Sequence, residues 1–361
     1  MSIQSTHRPG RPSPALSRRA LLAGTAAGAV GLGLAACGKG KKADSKTVTV
    51  VTHDSFHVSE DLQKAFTSET GYTLKVATSG DAGALVNKLV LTKEAPLGDA
   101  VFGIDNTYAS RALDQGVIDT SATVTLPKGA ESYVVADTPA LAPIDVGDVC
   151  LNIDTGYFTG KGLTPPATFE DLTKPEYKGL LVAINPTNSS PGMAWLLATI
   201  GHFGAGSFAG YWKQLMANGA RIADDWSAAY ETDFSGSGKG TYPIVVSYAS
   251  SPSFTVSKDK SSSSTSALLD TAFRQVEYAG VLKGAANPEG GKAFVEWMLS
   301  KAVQEDIPGQ MYMYPVLPDA ALPEALTKFG PLSKSPVKVE PKEITTHREE
   351  WLNTWTEAVG K

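Results

Sequence analysis

The chain has 361 residues, 42% of them hydrophobic and 19% charged, with 35 Gly and 22 Pro. That is enough for two domains of ordinary soluble composition joined by many short connections. The formal net charge of −5 argues against nucleic acid as a partner, because phosphate contacts need a surplus of Lys and Arg.

The N-terminus reads as an export signal. A basic, Pro-rich head ends in Ser17-Arg18-Arg19, and residues 20–36 are an uncharged run rich in Ala, Gly and Leu. Such a run between a basic head and small residues is a secretory signal peptide, here residues 1–36, and too short for a membrane span. The arginine pair resembles a twin-arginine signal. Leu34-Ala35-Ala36-Cys37 resembles the bacterial lipobox, in which the cysteine is lipidated and anchors the mature chain to the membrane. Cleavage takes away four of the 32 basic residues and no acid, leaving 28 against 37 and a net charge of −9. A weak preference for cationic ligands follows. Residues 37–46, CGKGKKADSK, read as a lipidated tether.

The β-branched run Thr47-Val48-Thr49-Val50-Val51-Thr52 predicts the first strand, ending in His53-Asp54-Ser55. A helix over 60–69 follows, then a strand over 72–77, a helix from Ala82 opened by Ser79-Gly80-Asp81, and a strand over 99–103 ending at Asp105-Asn106. Alternating strands and helices predict a mainly parallel sheet with helices on its faces. Three polar strand ends on one edge would make a site, although each acid or serine is also a good helix cap.

Residues 144–153 predict another strand, and a second α/β unit starts after Pro165-Pro166. The strand 180–184 leads to Ser189-Ser190-Pro191-Gly192, where Ser190 suits a cap and Pro191 a first helical residue. The same helix start suits an anion or a hydroxyl. Residues 206–219 predict an aromatic core helix. The strand 244–246 ends in Ser247-Tyr248-Ala249-Ser250-Ser251-Pro252, preceded in sequence by the Asp225-Trp226-Ser227 and Tyr230 cluster. Residues 257–266 predict a polar loop, 273–282 a strand, and 307–316 an aromatic loop. Trp351 and Trp355, four apart on a helix over 343–359, predict packing anchors.

Catalytic motifs are missing. The five histidines lack an H-E-x-x-H setting, and there is no G-x-S-x-G elbow, P-loop or G-x-G-x-x-G after the first strand. No Cys/His spacing suggests a metal, and no cofactor is expected. Cys150, the one cysteine besides Cys37, lies in an apolar run and predicts a buried small residue. Aromatics and hydroxyls at strand ends suit a cleft that binds without chemistry.

Nine short motifs in order resemble the thiamine-binding proteins of bacterial ABC importers. They are T-x-D-S-F at Thr52, D-x-x-x-L-x-N-x-L at Asp81, G-x-D-N at Gly103, and S-[ST]-P-G at Ser189. W-S-x-A-Y at Trp226, S-Y-x-x-S-P at Ser247, Q-V-E at Gln275, N-P-E at Asn287 and M-Y-P-V at Met313 complete the series. The resemblance implies an α/β, two-lobed type II periplasmic-binding-protein fold, each lobe a mixed sheet flanked by helices. It places lobe 1 at 47–143 and 275–318 and lobe 2 at 144–274 and 319–361, joined by two crossing strands near 144–151 and 276–281.

The function it implies is capture of thiamine, or its phosphates, and delivery to an ABC permease and its ATPase. The protein would be an extracytoplasmic, lipid-anchored monomer and not an enzyme. Trp226 and Tyr248 would face the rings, beside Tyr230. Asp81 and Asp105 would offer acceptors or charge. Ser189, Ser190 and Ser251 would bond the hydroxyl or phosphate end. His53, Phe254 and Tyr312 stand where the family has Tyr, Tyr and Trp, so Tyr312 makes a smaller wall, and a protonated His53 would supply an anion contact. The alternatives are a polyamine or ferric-ion binder and a secreted thiamine-degrading transferase using Cys150. Tyr248 is followed by Ala249 rather than a second tyrosine, which counts against iron.

Overall fold

β1 (Thr47–Thr52), α1 (Glu60–Thr70), β2 (Thr73–Thr78), α2 (Ala82–Leu91), β3 (Ala100–Asp105) and α3 (Ala109–Asp114) open the fold in strict alternation. The computed structural model describes residues 46–135, 138–237 and 239–360. The signal peptide and the lipidation at Cys37 lie outside the described residues. Glu60 and Asp61 in the first turn and a left-handed Gly71 at the far end bound α1. β1 runs parallel to β2 and to β3. All six residues of β3 are buried, the pattern of a parallel strand covered on both faces.

After β4 (Ala142–Asp154) come α4 (Thr155–Lys161), β5 (Leu181–Ile184), α5 (Ser190–Phe203), α6 (Phe208–Ala217), β6 (Arg221–Ala223), β7 (Ile244–Tyr248) and β8 (Thr265–Val281). α7 (Pro288–Met298), α8 (Lys301–Met311), β9 (Tyr314–Pro315), α9 (Glu324–Phe329) and α10 (Pro341–Val359) complete the chain. The strand order is β2-β1-β3-β8-β4-β7-β5-β6, with β9 beside β4. β3 pairs with the C-terminal part of β8, and β7 with the C-terminal part of β4. The long antiparallel strands β4 and β8 pair with each other from Ala142↔Ala279 to Asp154↔Thr265. They carry the sheet from a β2-β1-β3 half to a β7-β5-β6 half.

One apolar core runs through both halves. In the second half Trp195 meets Trp212 edge-on at 5.2 Å, and Trp212 meets Trp355 at 5.7 Å. Trp351 and Trp355 of α10 are buried, as the helical spacing predicts.

Two expectations are corrected. β8 begins at Thr265, inside the expected polar loop, because Thr265 and Ser266 find ladder partners in Asp154 and Ile153. α8 continues through Pro308 to Met311 instead of breaking into a loop. Val303, Ile307, Pro308 and Met311 are all buried along it, and that burial outweighs the amide hydrogen bond that proline cannot make.

Candidate functional site

The strand ends of both halves border a cavity of about 250 Å³. His53, Asp54 and Ser55 enter it after β1, Asp81 after β2, and Glu277 from β8. Ser190 and Pro191 come from the start of α5, and Trp226, Ser227 and Glu231 from the segment after β6. Tyr248 comes from the end of β7, and residues 310–313 from the end of α8.

His53 owes its place to Gly103. A Cβ at Gly103, which has φ +96°, would run into the His53 ring, and the β3–β8 register shifts at that point. His53 Nδ1 accepts from the Ser55 N–H at 3.1 Å, and Nε2 lies 3.4 Å from Glu277 Oε1. Burial alone would lower the His53 pKa, but Glu277, with Asp81 and Asp54, outweighs it and raises the value. Gln275 Nε2 donates to Glu277 Oε1 at 3.2 Å. Across the ladder, Asp145 stands opposite Glu277. Burial, and then the Glu277 carboxylate, push the Asp145 pKa well up.

Asp81 joins two helix starts. Its Oδ1 accepts from the Ala82 N–H at 2.7 Å, opening α2, and from the Ser190 N–H at 3.4 Å, opening α5. Burial raises its pKa in spite of these bonds. Beside them the Gly83 N–H donates to Asn188 O at 3.1 Å and Tyr108 OH to Pro186 O at 3.1 Å, so the two halves touch along this side. The Ser190 hydroxyl is buried and has no hydrogen-bond partner among the described residues.

The opposite wall is aromatic. Trp226 stacks on Tyr230 at 5.0 Å and 11°. Its Nε1 donates to Ser247 Oγ at 2.9 Å, which pairs with Ser251 Oγ at 2.9 Å, and Ser251 Oγ also accepts from the Tyr248 N–H at 3.3 Å. Tyr248 OH donates to Gln275 Oε1 at 3.3 Å. Tyr312, at 6.3 Å from Trp226, ends α8 with φ +63°. A tyrosine in that left-handed region is strained by about 1–2 kcal/mol. The Phe254 ring meets Tyr312 edge-on.

Of the residues singled out from sequence, His53, Asp81, Ser190, Trp226, Tyr248 and Tyr312 line the cavity. The others lie behind it or beside it. Asp105 is buried and caps the turn into α3, with Oδ1 accepting from Thr107 N at 2.8 Å and Tyr108 N at 3.2 Å. Ser189, not the expected Ser190, caps α5 through the Gly192 N–H, and Ser190 is its first helical residue. Tyr230 backs Trp226, Ser251 anchors the Ser247 relay, and Phe254 braces Tyr312. The expected anion contact from His53 meets a ring whose nitrogens already face Ser55 and Glu277. The lining residues missing from that selection include Asp54, Glu231 and Glu277. Glu277 had a signal: Gln275 and Glu277 are two apart on a strand, so they face one side.

Comparison with known proteins bears on most of the chain. The family described as bacterial extracellular solute-binding protein matches residues 99–330. Thiamine-binding periplasmic proteins of Salmonella typhimurium and Escherichia coli are each 27% identical over 326 residues, covering 87% of this chain and 94% of theirs. A solved periplasmic thiamin binding protein superposes with a TM-score of 0.75 at 25% identity, covering 87% of this chain and 96% of that one. Iron-bound HitA from Pseudomonas aeruginosa has a TM-score of 0.66 at 20% identity, covering 86% and 99%, and shows the fold alone. The sheet crossed by two long strands is the two-lobed type II periplasmic-binding-protein fold. With the matched residues spanning well over half of it, the chain belongs to the bacterial extracellular solute-binding proteins.

Proposed function

We propose that the protein captures thiamine outside the cytoplasm and delivers it to an ABC permease and its ATPase. In this reading residues 1–36 are removed, lipid on Cys37 tethers the chain to the membrane, and the monomer binds without catalysis. The lobes are 47–143 with 275–318 and 144–274 with 319–361, and they close on the ligand about β4 and β8. One observation carries the choice of ligand. Aromatic Trp226, Tyr248 and Tyr312 share the cavity with Asp54, Asp81, Glu231 and Glu277, and none of its described lining residues is Lys or Arg. Aromatic faces and carboxylates around one space suit a flat organic cation. The named thiamine binders among its relatives support the same reading.

The transferase alternative needs a nucleophilic cysteine in the cleft. Cys150 is fully buried on β4, outside the cavity lining, and burial raises its thiol pKa far above the usual range. The iron alternative needs paired tyrosines, and Ala249 beside Tyr248 is buried away from solvent. Titration with thiamine should quench tryptophan fluorescence and give a one-to-one calorimetric isotherm, and Trp226→Phe should remove most of the quench. A flat titration by both methods would overturn the assignment.

A further inference from the structure

We propose that capture of the cation is linked to release of a proton: the Asp145–Glu277 pair on the two long strands holds one proton between its carboxyls and gives it up to solvent when the cation enters the cleft. This rests on the thiamine reading above and goes on to say what the site exchanges for its ligand.

Asp145 of β4 and Glu277 of β8 stand in register opposite each other, and they are 0% and 5% exposed. Side chains directly opposite on an antiparallel pair come within about 5 Å. Neither Asp145 oxygen has a hydrogen-bond partner among the described residues. Glu277 borders the cavity, whose described lining holds no Lys or Arg. Two buried carboxylates at that spacing repel, one proton between them relieves the repulsion, and its titration belongs to the pair. Burial and the Glu277 charge accordingly raise the Asp145 pKa well above its ordinary value.

The groups around the pair bring mostly negative charge. Asp54 and Asp81 border the same cavity, Asp105 ends β3 on the Glu277 side, and Tyr248 of β7 donates to Gln275. β9 sets the uncharged Pro315 beside Asp145. Arg348 of α10 acts on Asp105 from over the Tyr108 ring. His53 turns Nε2 to Glu277 at 3.4 Å, and its neighbouring acids raise its pKa. Its Nδ1, however, accepts from the Ser55 N–H, a bond that a second ring proton would break, so the exchanged proton is assigned to the carboxyls. A ligand cation beside Glu277 supplies the positive charge that this proton had supplied. Cation and proton thus compete for one carboxylate pair, and binding tightens as pH rises.

Calorimetric titration with thiamine, in two buffers of different ionisation enthalpy at each pH, counts the protons exchanged. About 0.5–1 proton should be released per ligand, and affinity should rise about fivefold or more between pH 6.5 and pH 8. Thiamine's aminopyrimidine is a base that takes protons up, so net release reports the protein. Asp145→Asn leaves Glu277 without its proton-sharing partner and should flatten the pH profile, while His53→Gln and Asp105→Asn should keep it. Glu277→Gln should flatten it too, with weaker binding, and stands in where Asp145→Asn does not fold. Thiamine binding with no net release, or with uptake, would overturn this proposal and leave the thiamine assignment standing. A profile that persists in folded Asp145→Asn or Glu277→Gln, or that vanishes in His53→Gln or Asp105→Asn, would overturn the role of the pair. No binding at any pH would overturn the thiamine assignment and this proposal together.

Discussion

Asp105 shows how one residue type serves two ends. Its carboxylate stands at a strand end behind the cleft lining, and its Oδ1 is taken up by Thr107 and Tyr108. Burial pushes its pKa up to about 7, against the lowering effect of the Thr107 bonds. The unfolded chain titrates near the ordinary carboxylate value of about 4. Between that value and about 7 the folded chain binds a proton that the unfolded chain releases. This contribution to stability is therefore present at low pH and is lost as pH rises through about 7. Chemical denaturation at pH 5 and pH 8 should show the protein losing roughly 1–3 kcal/mol more than Asp105→Asn across that interval. Parallel profiles for the two proteins would contradict the assignment.

At the scale of elements, the contact of α2 with the turn before α5 decides how closely the halves meet. Gly83 is buried in the first turn of α2, and a Cβ there would stand 2.6 Å from both Asn188 O and Tyr108 OH. Alanine is otherwise a better helix residue than glycine by about 1 kcal/mol. Gly83→Ala should weaken thiamine binding about tenfold or more, because a Cβ against Asn188 O keeps the lobes from closing to this distance, and should lower the melting temperature through the clash with Tyr108 OH inside the first half, offset in part by alanine's helix preference. Calorimetry and thermal melts on the same variant read the two effects apart. Equal affinity would show that closure does not use this contact. Arg348 of α10 lies 4.2 Å over the Tyr108 ring, so the C-terminal helix braces the same side.

For the whole molecule, the sheet is continuous and the two halves share β4 and β8. A ligand gripped from both halves binds the folded chain and not the unfolded one. At a hundredfold excess over its dissociation constant it should stabilise the protein by about 2.7 kcal/mol. A thermal melt should rise by several degrees with thiamine. No rise with thiamine would count against capture in the cleft.

Local pattern determined much of this protein. β-Branched runs, Gly71 and the Ser-Ser-Pro-Gly start made β1, α1 and α5 legible, because propensity, capping and 3.6-residue spacing are properties of neighbouring residues. The parallel, helix-covered sheet followed from alternation. The cleft was legible in part for the same reason: Trp226 and Tyr248 stand out as aromatics at element ends. What remained hidden depends on contacts between residues far apart in the chain. Sequence does not say that Asp145 and Glu277 face each other across β4 and β8, nor that Asp81 reaches the Ser190 amide. It does not separate Ser190, which borders the cavity, from Ser189 and Ser251, which hold its walls in place. A cap, a relay and a ligand contact use the same hydroxyls and carboxylates. Only the register of the long strands and the approach of the two halves decide which of these each residue becomes.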